Sequence, residues 1–147
     1  MSGLFGTRAM LNTDVDLLLQ VFAFVFFVLS YVYFRKWRFR LHVSLMGFAV
    51  AVNLFSFLWF MGPVFYRHFI SFFSTRLSDP GVITTWIHVF PGTITLALGS
   101  GFFVTWGLQH SKIAMCSRRK RLMKITGLLW CVSLTFGVAT YLMFYVV

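Results

Sequence analysis

Four long hydrophobic segments separated by short polar stretches dominate the sequence. Runs without Asp, Glu, Lys or Arg cover residues 17–34, 43–66, 80–111 and 125–147. A helix rises about 1.5 Å per residue, so about 20 apolar residues cross the ~30 Å hydrocarbon layer of a bilayer. Each run approaches or exceeds that length, and residues 22–27 (FAFVFF) lack the polar–apolar alternation of a membrane β-barrel. The pattern therefore predicts an all-α integral membrane protein.

The connections between the runs predict how four spans are arranged. We expect spans at about residues 15–34, 43–65, 82–108 and 123–146, within one membrane domain over residues 1–147. The first connection is only about eight residues long, which predicts an antiparallel hairpin, and the third connection predicts another. Residues 65–77 carry apolar side chains on one helical face and predict a short outer interfacial helix. The predicted fold is a four-helix bundle of two hairpins with this interfacial helix.

Composition and charge agree with a membrane protein and exclude a water-soluble globule. Hydrophobic residues make up 59% of the chain and charged residues only 11%, against about 25% charged residues in soluble domains. Most of the 13 Lys and Arg residues lie in the first and third connections. The positive-inside rule then predicts that these loops are cytoplasmic and that both termini lie outside the cell membrane. Because topology explains the net charge of +10, no nucleic-acid partner is expected.

The largest cluster of positive charge lies in the third connection. It consists of Arg118, Arg119, Lys120 and Arg121. Basic clusters next to a membrane span orient the loop and attract anionic lipid headgroups. The cluster therefore predicts contact with the lipid bilayer, and a docking surface for a partner protein is the alternative.

Side chains of the kind that catalysis requires are scarce. The acids are Asp14, Asp16 and Asp79, which all fall on the predicted outer side and none deep in a span. The sequence contains no carboxylate pair, nucleophile triad or phosphate-binding glycine loop, so no enzymatic activity is expected. Cys116 and Cys131 match neither a redox pair nor a zinc finger.

Each predicted span carries one face of polar and small residues. Burying a polar group without a partner costs free energy, and small residues allow helices to approach closely. We therefore expect these faces to turn toward each other, with Gln20, Asn53 and Thr95 as intramembrane polar groups. The faces comprise Asp16 and Gln20 in the first span, His42, Met46, Ala49, Asn53 and Ser56 in the second, His88, Gly92, Thr95 and Gly99 in the third, and Thr126, Trp130, Ser133, Gly137 and Thr140 in the fourth.

Histidines on these faces are the candidate ligands for a cofactor or metal. His42 and His110 fall near the predicted cytoplasmic side, and His88 falls near the outer side. Bis-histidine ligation would suit haem, whereas copper prefers histidine with a thioether. The candidates are thus His42, His88 and His110 for a cofactor, and His42, Met46 and His88 for a metal. The alternative is that the rings only pack at headgroup depth.

Several short motifs resemble the domain-of-unknown-function family 420 (DUF420), a family of four-helix membrane proteins. The motifs are Asp16-x-x-x-Gln20, His42-x-x-x-Met46, His88, and Trp130 followed by Gly137 and Tyr141. The resemblance implies an accessory or maturation factor for a haem-copper respiratory oxidase, with a terminal oxidase subunit as partner and possible handling of haem or copper. It also implies that His42 and His88 are the family's intramembrane histidines. Arg119 stands where the family has a further histidine.

Two other functions remain open from the sequence. A haem-binding membrane electron-transfer protein would use the same histidines. A structural subunit of a larger membrane complex would not need them.

Overall fold

Helices make up nearly all of the described chain. The computed structural model describes residues 8–68, 77–108 and 120–146, together with Leu4, Gly6 and Thr75, and none of these residues is in a β-strand. The predicted all-α class is confirmed. The α-helices are α1 (Leu11–Arg35), α2 (Phe39–Ser56), α3 (Gly62–His68), α4 (Pro80–Leu108) and α5 (Lys120–Tyr145).

Four helical segments of the described chain are long and apolar enough to cross a membrane. They are Leu11–Arg35, Phe39–Arg67, Pro80–Trp106 and Lys120–Tyr145. Large apolar side chains cover the outside, and Trp59 and Phe90 are 70% and 67% exposed, whereas Ser30 and Ser56 are completely buried. This distribution is the reverse of a soluble protein and suits a bundle surrounded by lipid. The molecule is thus a multi-pass membrane protein.

The second span crosses a proline without ending. A π-helical turn, Phe57–Met61, joins α2 to α3, and the Gly62 N–H bonds to the carbonyl of Phe57, five residues earlier. Pro63 has no N–H and its ring would collide with the carbonyl of Trp59 in a regular α-helix. The wider turn accommodates the proline. The predicted interfacial helix begins within this continuing segment, and residues 69–74 and 76 of it lie outside the described chain.

The connection between α1 and α2 is shorter than the sequence suggests. Both helices extend into the predicted loop, so only Lys36, Trp37 and Arg38 separate them. Trp37 adopts a φ of 59°, a left-handed conformation that bulky residues rarely take. The chain therefore reverses within three residues, and α2 runs antiparallel to α1.

The helices pack mainly as two antiparallel pairs, α1 with α2 and α4 with α5. Ala23 of α1 packs with Ala49 of α2 in a common buried cluster. In the other pair, a Cβ added to Gly92 would lie 2.7 Å from Ser133 Oγ. Only glycine permits so close an approach, which explains the small residues on these faces. Across the pairs, the Tyr141 hydroxyl donates to the buried Asp14 carboxylate at 2.5 Å.

Candidate functional site

Two cavities lie between the helix pairs, at opposite ends of the bundle. The basic-end cavity, about 640 Å³, is lined by residues from 24–35, 42–50, 99–106 and 120–131. The terminal-end cavity, about 520 Å³, is lined by residues from 12–20, 53–67, 85–96 and 130–145. Both volumes fall within the range of small-molecule sites, roughly 300–1,000 Å³.

His42 projects from the first turn of α2 and lines the basic-end cavity. The side chain is 5% exposed. Its Nδ1 lies 2.9 Å from the carbonyl oxygen of Ser30 and 2.7 Å from Ser30 Oγ, and the Ser30 hydroxyl donates its proton to the His42 carbonyl at 2.9 Å. A carbonyl oxygen only accepts, so Nδ1 carries the proton and the lone pair of the neutral ring is on Nε2. The imidazole is therefore held in the tautomer that can ligate through Nε2.

The walls and mouth of the basic-end cavity differ in character. Aromatic side chains, including Phe27 and Trp106, line the interior. Met46 lies one turn after His42 on the same wall. Arg35, Lys120 and Lys124 also line the cavity, and all three are exposed. The cavity thus combines an apolar interior with a cationic rim.

A network of hydrogen bonds between α1 and α2 borders the terminal-end cavity. The amide nitrogen of Gln20 donates to Asn53 Oδ1 at 3.0 Å and to Ser56 Oγ at 2.9 Å. The Ser56 hydroxyl donates in turn to the Asp16 carboxylate. Asp16, Gln20 and Asn53 all line the cavity. Hydrogen bonds therefore link the polar side chains of α1 to those of α2 inside the bundle.

His88 of α4 repeats the arrangement of His42 in the second helix pair. Its Nδ1 lies 2.7 Å from the carbonyl oxygen of Ser133, and the Ser133 hydroxyl donates to the His88 carbonyl at 2.9 Å. The same argument assigns the proton to Nδ1 and the lone pair to Nε2. A Cβ on Gly137 would lie 2.8 Å from His88 Nδ1, so glycine makes room for the ring. A serine on the partner helix therefore orients this histidine.

Two buried polar atoms of the terminal-end cavity have no hydrogen-bond partner among the described residues. They are Oγ1 of Thr95 and Nε1 of Trp130. Each residue is 3% exposed, and both line the cavity. A buried donor without a partner costs about 1–3 kcal/mol. These two donors are the polar groups that the fold leaves unsatisfied here.

The predicted site residues are divided between the two cavities. His42 and Met46 line the basic-end cavity, whereas His88, Gln20, Asn53 and Thr95 line the terminal-end cavity. The division follows from the antiparallel course of α2 and α4, because each histidine lies near the start of its own helix. The proposed metal ligands His42, Met46 and His88 therefore do not share one cavity, and the described residues contain no group of three His, Cys, Asp or Glu that could hold a metal.

The remaining predicted residues belong to the basic loop. Lys120 lines the basic-end cavity, and Arg121 is exposed but does not line it. His110, Arg118 and Arg119 lie outside the described residues.

The contact of Ser30 with His42 and the burial of Asp14 were not predicted from the sequence. Ser30 continues the helical spacing of Asp16 and Gln20 by three further turns, so extending that face along the whole span would have found it. Asp14 was predicted on the outer side, and the structure adds that it lies within α1, which begins at Leu11, with its side chain completely buried and accepting a hydrogen bond from Tyr141. No local pattern signals that pairing across 127 residues.

Comparison with known protein families, with curated proteins and with solved structures gives no match for this chain. The resemblance to DUF420 therefore stays a prediction, and the geometry of the two cavities is the basis for proposing a function.

Proposed function

We propose that this chain is a non-enzymatic, membrane-embedded accessory protein that holds haem in the basic-end cavity and serves the maturation of a haem-copper respiratory oxidase. The observation that carries the proposal is the state of His42. Its Nδ1 donates to the Ser30 carbonyl, so Nε2 has the lone pair that an axial ligand of iron needs. The ring is buried in an aromatic cavity of suitable size.

The rest of the basic-end cavity fits the two ends of a haem. Aromatic walls suit the apolar macrocycle and exclude water from it. Arg35, Lys120 and Lys124 suit the carboxylates, which they would bind by charge-assisted hydrogen bonds. A bound haem would supply a redox-active iron. In this proposal, His42 would ligate the iron, Ser30 would hold the imidazole ring, and the cations would fix the orientation of the haem.

Copper fits the described residues less well. A protein copper site takes several imidazole or sulfur ligands. His42, Met46, Met123 and Cys131 all line the basic-end cavity, but the described residues contain no group of three His, Cys, Asp or Glu that could hold a metal, and His88 lies in the other cavity. We therefore propose haem and not copper as the cargo.

The oxidase partner and the orientation are further parts of the proposal. The oxidase partner is supported by the motifs that resemble DUF420, and the orientation is supported by the concentration of basic residues in two loops. We propose a plasma-membrane protein with outer termini, two helical hairpins and an outer interfacial helix at residues 65–77. The cationic rim would then open toward the cytoplasm, where Arg118, Arg119, Lys120 and Arg121 meet anionic headgroups.

A structural subunit of a larger membrane complex is the second candidate. The observation in its favour is that each histidine exchanges hydrogen bonds with a serine on the neighbouring helix. Such reciprocal bonds stabilise a helix pair without any ligand. Under this alternative, His42 and His88 would be equivalent and neither would bind a cofactor.

Haem titration of matched histidine variants distinguishes the two candidates. The detergent-purified protein and the variants His42→Ala and His88→Ala are titrated with hemin and followed by the Soret band. The two variants lose the same kind of serine contact, so each serves as the stability control for the other. We expect His42→Ala to lose the ligated Soret spectrum and His88→Ala to keep it, because only His42 lines the basic-end cavity.

Other outcomes contradict the proposal in distinct ways. A wild-type protein that gives no ligated spectrum would favour the structural subunit. Equal loss in both variants would mean that helix pairing, and not ligation by His42, determines the spectrum. Added imidazole should restore the spectrum of His42→Ala, and failure to do so would remove His42 as the axial ligand.

A further inference from the structure

The terminal-end cavity contains a buried threonine, Thr95, whose hydroxyl has no hydrogen-bond partner among the described residues. In the described helices, seven threonine hydroxyls donate to a carbonyl three or four residues earlier, as Thr85 does to Gly81 at 2.8 Å. This is the usual way to satisfy a hydroxyl inside a membrane helix. Thr95 makes no such bond, although it is 3% exposed. The Thr95 hydroxyl can therefore donate a hydrogen bond to a molecule in the cavity.

A second unsatisfied donor lies across the α4–α5 interface from Thr95. The two helices are antiparallel, with Gly92 against Ser133 and His88 against Gly137. Continuing this register by one turn puts Thr95 opposite Trp130. Trp130 Nε1 is also buried without a hydrogen-bond partner among the described residues. The indole N–H can only donate, and no described residue supplies the pair with an acceptor.

The other residues that line the terminal-end cavity indicate which kind of molecule could carry the acceptor. The cavity is about 520 Å³ and lies between membrane spans, with apolar walls that include Phe57, Phe60 and Leu134. A ligand reaching it from the bilayer needs an apolar body. We infer that the terminal-end cavity binds a lipid-soluble molecule through a carbonyl oxygen that accepts hydrogen bonds from Trp130 Nε1 and Thr95 Oγ1.

Two sources could supply that carbonyl chemistry. One is the head of a membrane quinone, and the other is the ester of a phospholipid. The inference does not depend on haem in the basic-end cavity, because the two cavities are lined by different parts of each helix.

The binding test compares two threonines of the same cavity. Detergent-purified, delipidated protein is titrated calorimetrically with decylubiquinone, with a short-chain phosphatidylcholine, and with decylbenzene, which has no acceptor. Thr95→Val removes the unsatisfied hydroxyl at nearly constant shape. Thr85→Val is the matched control, because Thr85 lines the same cavity and is 7% exposed but already donates to Gly81.

We expect Thr95→Val to weaken binding of one carbonyl ligand by roughly two- to tenfold, the loss of one neutral hydrogen bond. Trp130→Phe should weaken it similarly. Thr85→Val should leave it within twofold, and decylbenzene should bind more weakly than the carbonyl ligand. The thermal stability of ligand-free Thr95→Val should equal or exceed that of the wild type, because the lost hydroxyl had no partner.

The ligand that responds to Thr95→Val identifies the source. A response only with decylubiquinone assigns a quinone, and a response only with phosphatidylcholine assigns a lipid ester. Binding that is unaffected by Thr95→Val, or equally weakened by Thr85→Val, overturns the inference. So does the absence of binding by either carbonyl ligand.

Discussion

The two cavities share a structural device but differ in the chemistry that they present. In each, an imidazole and a serine on neighbouring helices exchange hydrogen bonds through their backbone carbonyls. The basic-end cavity adds aromatic walls and a cationic rim. The terminal-end cavity adds a carboxylate, two amides and two unsatisfied donors. The same histidine–serine hydrogen bonds therefore hold one helix pair together at each end of the bundle, while the surrounding side chains determine what each cavity can bind.

This difference explains why a histidine alone is a poor guide to function in a membrane bundle. Both imidazoles have the same orienting partner and the same tautomer. The cavity of His42 is lined by three cations, Arg35, Lys120 and Lys124, whereas that of His88 is lined by Arg67 together with the Asp16 carboxylate. Among the described residues, the buried donors Thr95 and Trp130 that lack partners line the cavity of His88 and not that of His42. Function at each end thus depends on the neighbours of the imidazole.

The largest expected effect comes from overpacking the interface between α4 and α5. Gly137→Leu should destabilise the protein by about 1–3 kcal/mol, because its Cβ meets the His88 ring at 2.8 Å and the helices must separate. Gly101→Leu is the control, since a Cβ there meets nothing within 4 Å. Thermal unfolding in detergent measures the difference. Gly137→Ala, which has the same Cβ, should give a smaller loss in the same direction if the leucine variant does not fold.

The same variants also test whether the cavities are independent. Gly137 lines the terminal-end cavity and not the basic-end cavity. Folded Gly137→Ala should therefore change binding of the carbonyl ligand while the Soret titration stays that of the wild type. A parallel loss of hemin binding would show that the two cavities respond as one.

A smaller effect is expected from the cationic rim. The double variant Lys120→Gln/Lys124→Gln should weaken hemin binding by roughly two- to tenfold, the worth of one or two exposed ion pairs, and more strongly at low salt. Arg121→Gln is the matched control, because Arg121 is exposed on the same helix and does not line the cavity. Soret titrations at two salt concentrations measure the change. Equal weakening by Arg121→Gln would indicate a general charge effect and not a rim that binds carboxylates.

The helical architecture was accessible from the sequence because it depends on segment length and hydropathy. The four apolar runs predicted four membrane-crossing helices, and four helical segments of the described chain are long and apolar enough to cross a membrane. The predicted second span, residues 43–65, already included Pro63, but the π-helical turn that accommodates the proline was not predicted, because no local pattern signals it.

The candidate site was less accessible from the sequence. Helical spacing found the faces that contain Thr95, Trp130 and Ser133, because small and polar residues recur there with a regular period. It could not find that Thr95 lacks a partner while Thr85 has one, since the two threonines are alike in sequence terms. It also could not tell that His42 and His88 line different cavities, which depends on the antiparallel course of their helices.

The smallest expected effect concerns the histidine–serine hydrogen bonds that both cavities share. The test compares Ser30→Ala with Ser133→Ala. Each substitution removes a hydroxyl that donates to a histidine carbonyl at 2.9 Å. Hydrogen bonds between membrane helices contribute about 0.6 kcal/mol on average, so both variants should lose about that much in unfolding free energy. Nδ1 lies within hydrogen-bond distance of both the serine hydroxyl oxygen and the serine backbone carbonyl, and alanine retains the carbonyl as an acceptor. Hemin binding by Ser30→Ala should therefore match the wild type, and a lost Soret spectrum would mean that the hydroxyl, not the carbonyl, orients His42.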